Sequence, residues 1–343
     1  MQNWLERNLI KVSEFGKVGD RSVHQIELTN SSGVSVKFIS FGAVIRDWIV
    51  PVGQELRSVV LGFDRIENYV QHSPFFGAIV GRVANRIKNA EFDLEGRTFQ
   101  LDANETKHQL HGGTGGLSNQ VWDFDIEENK DRVCFSLRSE DGAMGFPGQI
   151  DFNVSYTLRG NILRLDLSGL PDRPTPISLA QHNYFNLGTY ADILGHSLFI
   201  DADRYSVLDL ELIPTGEILP VLGSKFDFQT SKTFQSVGEG AMDFDINLLL
   251  QQNRDLQKPV AIVCSPAGDL TLKLSTDRPG LQLFNSATIN LSMPGNGGKF
   301  YGPYSGFCLE DQMVPGALHI PEFPSIICTP DAPYRHWCEI EIS

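Results

Sequence analysis

The chain has 343 residues, a formal net charge of -14, and 41% hydrophobic against 20% charged residues. That balance excludes a disordered chain, a collagen and a disulfide-dense miniprotein. The acidity argues against nucleic acid or an anionic membrane as the main partner, because a polyanion requires a basic footprint.

From the start of the chain, Met1-Gln2-Asn3-Trp4-Leu5-Glu6-Arg7 lacks the basic stretch and apolar core of a secretory signal. No later run reaches the roughly 18 apolar residues that a membrane helix needs. Val34, Val36 and Phe38 then alternate with Ser35 and Lys37. Asp64-Arg65-Ile66-Glu67 has the form of a capping box opening a short helix toward Gln71. Glu95-Gly96 separates Phe92/Leu94 from Phe99/Leu101, as a hairpin turn would. Alternation returns at Val133–Leu137, Leu163–Leu167, Leu270–Leu274 and Cys338–Ile342, with turn signals at Arg159-Gly160-Asn161 and Ala267-Gly268-Asp269. Such spacing puts apolar side chains on one sheet face and polar ones on the other. There is no internal repeat, no Ser/Gly linker and no β-α-β rhythm. The reading is all-β: a single domain over residues 1–343, a large antiparallel β-sandwich with few short helices. Its open sheet face is the natural place for a ligand. The five cysteines are odd in number and widely spaced, which points to buried thiols in a reducing, cytoplasmic setting rather than a disulfide framework or zinc ribbon.

Two of the eight histidines stand in suggestive surroundings. Leu110-His111-Gly112-Gly113 places one before glycines, where the backbone turns sharply and a ligand can approach. Gln181-His182-Asn183-Tyr184-Phe185-Asn186-Leu187 interleaves polar and aromatic groups, a mixture that suits a sugar with directional hydroxyls and an apolar C–H face. A strand with a hydrogen-bonded Tyr–Asn pair explains that segment equally well. His111-Gly112-Gly113-Thr114-Gly115-Gly116 lacks the Gly-Lys-Ser/Thr ending of a phosphate cradle. His108 and His111 lack a third metal ligand within range. Leu309-Glu310-Asp311-Gln312 follows an apolar run, and a carboxylate there is costly unless paired or functional. Asp243-Phe244-Asp245 reads as a solvated turn or an acidic subsite. Arg82 and Arg86 in Gly81-Arg82-Val83-Ala84-Asn85-Arg86-Ile87 read as a surface ion-pair cluster unless a ligand uses them.

Taken in order, these segments resemble the aldose 1-epimerase (galactose mutarotase) family. Gly81–Ile87 matches G-R-x-A-N-R-I, and Leu110–Gly113 matches L-H-G-G. Phe146-Pro147-Gly148 with Tyr156-Thr157-Leu158 resembles F-P-G…Y-T-L. His182–Leu187 matches H-x-Y-F-N-L, Pro279–Gln282 resembles P-G-V-Q, and Leu309–Gln312 matches L-E-x-Q. The matches run from about Phe41 to the C-terminus. The resemblance implies a galactose mutarotase-like supersandwich and an isomerase of a monosaccharide. It implies Glu310 as general base and His182 as general acid, the latter kept cationic with help from Asp245. It further implies sugar contacts from Asn85, Arg86, His111, Tyr184, Asp245 and Gln282, with Asp243 as the other candidate acid. It implies no metal and no cofactor. Three departures bear on substrate preference: Ile246 stands where the family often has His, Gln181 where it commonly has Thr, and Phe284-Asn285-Ser286-Ala287 where it has Y-T-G-N. The alternatives are a glycoside hydrolase using Asp245 and Glu310, a non-catalytic carbohydrate-binding sandwich, and a mutarotase-like enzyme for a modified sugar.

Overall fold

A computed structural model describes residues 9–236 and 243–343; the Met1–Arg7 stretch lies outside them. Period-two segments become strands where expected: Ser35–Ile39, Arg132–Ser139, Ile162–Pro171, Thr271–Thr276 and Tyr334–Ile342. The three turn signals close the hairpins Glu91–Leu94/Arg97–Gln100, Ile150–Arg159/Ile162–Pro171 and Ala261–Cys264/Thr271–Thr276. At Gly160 the turn takes φ +56°, which glycine adopts without a Cβ penalty.

Three antiparallel sheets carry the architecture. The N-terminal sheet runs in chain order through Leu9–Val18, Arg21–Thr29, Ser35–Ile39, Val44–Val52 and Glu55–Ser58. A nine-stranded sheet follows the spatial order Asp123–Glu127, Arg132–Ser139, Ile150–Arg159, Ile162–Pro171, Tyr334–Ile342, Thr271–Thr276, Ala261–Cys264, Ser197–Ile200 and Lys232–Thr233. The last strand of the chain therefore sits at its centre. The third sheet, hereafter the cleft sheet, has the order Pro214–Pro220, Ala202–Leu208, Asp245–Leu250, Gly280–Phe284 and Cys308–Gln312.

One apolar cluster joins all three sheets. Phe38 of the N-terminal sheet packs on Tyr156 of the large sheet with ring centroids 4.6 Å apart, and the Tyr156 hydroxyl donates to Ala43 O at 2.8 Å. Ile246, Leu248, Leu281, Leu283 and Leu309 turn the inner face of the cleft sheet into the same core. The only α-helix among the described residues is Ile66–His72. Its capping box does not form: the N-cap is Arg65 and no side chain caps it. Asp64 instead pairs with Arg46 and accepts the Gly297 N–H at 2.8 Å, so its carboxylate is taken by a distant loop.

Candidate active site

Side-chain alternation on the cleft sheet builds the floor of the site. Gln282 stands opposite Glu310 and Asp245 opposite Phe284, which in turn faces Cys308. Cys308, Glu310, Gln282 and Asp245 therefore share one sheet face, while Leu309 and Asp311 point the other way. Asp311 is fully buried and accepts from Thr276 Oγ1 and bonds His336 Nε2, both at 2.6 Å, which ties the cleft sheet to the large one.

The walls come from loops held in uncommon backbone conformations. Phe75, Asn85 and His111 have φ of +68°, +64° and +52°. A non-glycine residue in that region costs on the order of 1–3 kcal/mol, so three at one place mark a site whose geometry is imposed by its surroundings. Asn85 and His111 hold each other: His111 N donates to Asn85 O at 3.1 Å, and Asn85 N donates to His111 Nδ1 at 3.2 Å. Gly112 follows because a Cβ there would lie 1.9 Å from Gly81 O. His182 is fixed by its own backbone, with N donating to Ala78 O at 2.9 Å and O accepting from Gly77 N at 3.0 Å.

The resulting cavity has a volume of about 750 Å³. Asn85, Arg86, His111, His182, Tyr184, Asp245, Gln282 and Glu310 all line it, and so does Asp243. The two acids differ. Asp243 is exposed and accepts from the Tyr304 hydroxyl at 2.8 Å. Asp245 lies inside, 3.6 Å from Arg86 Nη1, and accepts from Gln282 Nε2 at 2.5 Å. Arg86 is in turn aimed by Glu105, which takes its Nε at 2.6 Å and Nη2 at 2.9 Å in a two-point grip. Arg82, by contrast, is not a surface ion-pairing residue. It is buried, and its guanidinium donates to the carbonyls of Ser139, Glu140 and Pro147.

At the centre, His182 Nε2 is 3.6 Å from Glu310 Oε1. The imidazole lies between Phe75, stacked at 5.7 Å, and Tyr184, stacked at 5.0 Å, and the Tyr184 hydroxyl is anchored on Pro74 O at 2.8 Å. Burial pushes His182 down to about 4 and raises Glu310 well above the ordinary carboxylate range. Asp245 also raises Glu310, whereas Arg86 lowers it. The expectation that Asp245 keeps His182 cationic fails, because Asp245 turns to Arg86 and Gln282 and desolvation dominates at His182. Glu310 Oε2 and Gln282 Oε1 are buried without a protein partner.

His111, His182 and Glu310 bring their potential ligand atoms within 4.8 Å of one another. His111 is a poor metal ligand in this setting. Burial, first of all, keeps it neutral, and its Nδ1 already accepts a backbone N–H, so the ring proton sits on Nε2. That makes His111 a hydrogen-bond donor toward the cavity.

Sequence reading missed several contributors. Phe75 and Glu105 lie in segments without a motif, and Cys308 reads from sequence only as one of five buried thiols. Cys308 and Glu310 are two apart on a strand, and that spacing alone places them on one face. Of the three departures from the family pattern, Gln181 faces away from the cavity, bonding Leu309 O at 2.5 Å and Asn183, while Ile246, Phe284 and Ala287 line it.

The family model described as aldose 1-epimerase matches residues 24–341. The aldose 1-epimerase of Haemophilus influenzae is 36% identical over 327 residues, covering 92% of this chain and 94% of that protein. The human galactose mutarotase is 35% identical over 341 residues, covering 96% and 98%. Among solved structures, an aldose epimerase homologue from C. elegans superposes with a TM-score of 0.86 at 27% identity, covering 91% of this chain and 96% of that one. The galactose 1-epimerase of Lactobacillus acidophilus shares the fold with a TM-score of 0.86 at 23% identity, covering 98% and 99%. With its supersandwich and five of its six motifs contributing to one cavity, this chain belongs to the aldose 1-epimerase family.

Proposed function

We propose that this protein interconverts the α and β anomers of an aldose such as galactose or glucose, with Glu310 and His182 as its acid–base pair. The observation that carries the reading is the pair itself, 3.6 Å apart at the centre of a cavity lined by hydrogen-bonding side chains. The Glu310 carboxylate takes the proton of the C1 hydroxyl while His182 Nε2–H protonates the ring oxygen. The C1–O5 bond breaks and an open-chain aldehyde forms. Rotation about C1–C2 presents the other carbonyl face. Closure returns the proton from O5 to His182 and from Glu310 to O1, so the pair ends as it began. Arg86, His111, Asp245, Gln282 and Asn85 hold the other hydroxyls, and the Tyr184 ring supports His182. Holding the chain through the open stage prevents escape of the aldehyde.

The chemistry needs one proton on the pair. Glu⁻/HisH⁺ and GluH/His are two arrangements of that single proton, and ring opening converts the first into the second. Burial favours the second, which is uncharged. The environment therefore stabilises the pair at the stage where the sugar is least stable.

Glu310→Gln or His182→Asn is expected to lower the catalysed rate at least about a hundredfold, the usual scale of a positioned acid or base. Polarimetry on freshly dissolved α-galactose and α-glucose measures it; near-full activity in both variants would reject the assignment. The five unpaired cysteines and the substrate class support a reducing compartment such as the cytoplasm.

A further inference from the structure

The strand Cys308–Gln312 carries Cys308 and Glu310 on the one face that meets His182; Glu310 lines the cavity and Cys308 is fully buried behind the ring. Glu310 faces His182 from one side of the imidazole. Cys308 faces it from the other: its Sγ lies 3.6 Å from His182 Nδ1. The ring is thus addressed at both nitrogens by a single strand. Its two faces are occupied by Phe75 and Tyr184, and its neighbours with titratable groups are Glu310, His111, Tyr184 and Cys308. A thiol is unusual at this place because it both donates and accepts weakly. When His182 is neutral with the proton on Nε2, S–H donates to Nδ1. When His182 is cationic, or neutral with the proton on Nδ1, sulfur accepts from Nδ1–H. Burial keeps the thiol protonated, so it retains both roles.

We propose that Cys308 is a positioning residue for His182: its thiol, on the same strand face as Glu310, holds Nδ1 so that Nε2 stays aimed at the carboxylate and the cavity in every protonation state of the cycle. A carboxylate at this place would hold the cation and resist proton release; an apolar group would leave Nδ1 without a partner on protonation. The proposal rests on His182 acting as the acid.

Two substitutions separate hydrogen bonding from packing. Cys308→Ser keeps a donor and acceptor but loses volume, and Cys308→Val keeps volume but loses both. The positioning role predicts that Ser retains kcat within about threefold, while Val loses about tenfold or more with KM nearly unchanged, as misplacement of a reacting group does. It also predicts that the acid limb of the pH profile moves in Val and not in Ser. The ¹⁵N resonances of the His182 ring, assigned by their loss in His182→Asn, should show the same Nδ1 hydrogen bonding in wild type and Ser and a changed tautomer balance in Val. Activity of Val equal to or above that of Ser, or identical ring spectra in Val and wild type, would overturn it. Should neither variant fold, a wild-type Nδ1 resonance without hydrogen bonding does the same. Near-full activity of His182→Asn would sink the parent reading instead, and the ring spectra keep the two failures apart.

Discussion

His182 and Glu310 lie 3.6 Å apart and share one proton in the proposed mechanism, and burial sets the sign of the pair's response to pH. Adding a proton to the working pair makes it cationic, and removing one makes it anionic. Burial disfavours both, so the first macroscopic constant falls and the second rises. Activity should therefore decline on the acid side only near the His182 value of about 4, and on the alkaline side only above the raised Glu310 value. A kcat/KM profile measured polarimetrically, with the uncatalysed rate subtracted at each pH, should show a broad plateau across neutrality. A narrow bell between about 4.3 and 6.5, the values of unperturbed side chains, would contradict the desolvated pair. At this scale the motifs made legible which side chains gather at the cavity: Asn85, Arg86, His111, His182, Tyr184, Gln282 and Glu310. The charge environment was not, because it depends on where Asp245 points, and its partners Arg86 and Gln282 are 159 and 37 positions away in the chain.

Among the elements, the loop carrying His111 shows how local chemistry becomes placement. The Leu110-His111-Gly112-Gly113 turn was readable as a close-approach loop, and the reason lies at Gly112, with φ +90° and the Gly81 carbonyl in the space of a side chain. Gly112→Ala should displace His111, raise KM for the sugar and destabilise the fold by roughly 2 kcal/mol or more, a strained φ and a backbone clash together. Thermal melts and saturation kinetics check both parts; an Ala variant matching wild type in both would show that the loop is not held as described. The helix tells the opposite story. Asp64-x-x-Glu67 has the pattern of a capping box, yet a distant partner, Arg46, and the Gly297 N–H draw the Asp64 carboxylate away. Short-range patterns fail where a long-range charge competes for the same side chain. Arg82 is the same lesson: its neighbours in sequence suggest an exposed pair, while its donors end on three backbone carbonyls and the Ser139 hydroxyl.

For the whole molecule, alternation declared the all-β class, but pairing order was beyond it. Nothing local to Cys338–Ile342 says that the last strand lies between Ile162–Pro171 and Thr271–Thr276. Stability couples to that assembly through buried neutral histidines. His196 Nε2 accepts the Leu187 N–H at 3.0 Å and its Nδ1 donates to Ile193 O at 3.1 Å, so the ring must carry one proton. Burial lowers it to about 4. The unfolded chain takes up a proton near 6.5 and the folded chain does not, so this contribution is complete above 6.5 and is lost as pH falls toward 4. The loss is roughly 3 kcal/mol for His196. Denaturant unfolding at pH 7 and pH 4.5 should show it, and His196→Gln should flatten the slope; an unchanged slope would show that His196 is not the sensor.

The strand Cys308–Gln312 carries acids at two successive positions, of which only Glu310 reaches the cavity. A shift of one residue would bring the shorter Asp311 into the place of Glu310 and set Leu309 behind the imidazole, while Glu310 took the apolar place of Leu309 and Gln312 met His336 in the core. The proposed chemistry thus depends on the parity of this strand as well as on its composition. Shortening or lengthening the preceding connection, residues 285–307, leaves the chemistry intact only when the loop absorbs the change and passes none of it on. A graft there that preserves every named side chain but advances the strand by a single step would yield a folded, carboxylate-bearing and inert protein.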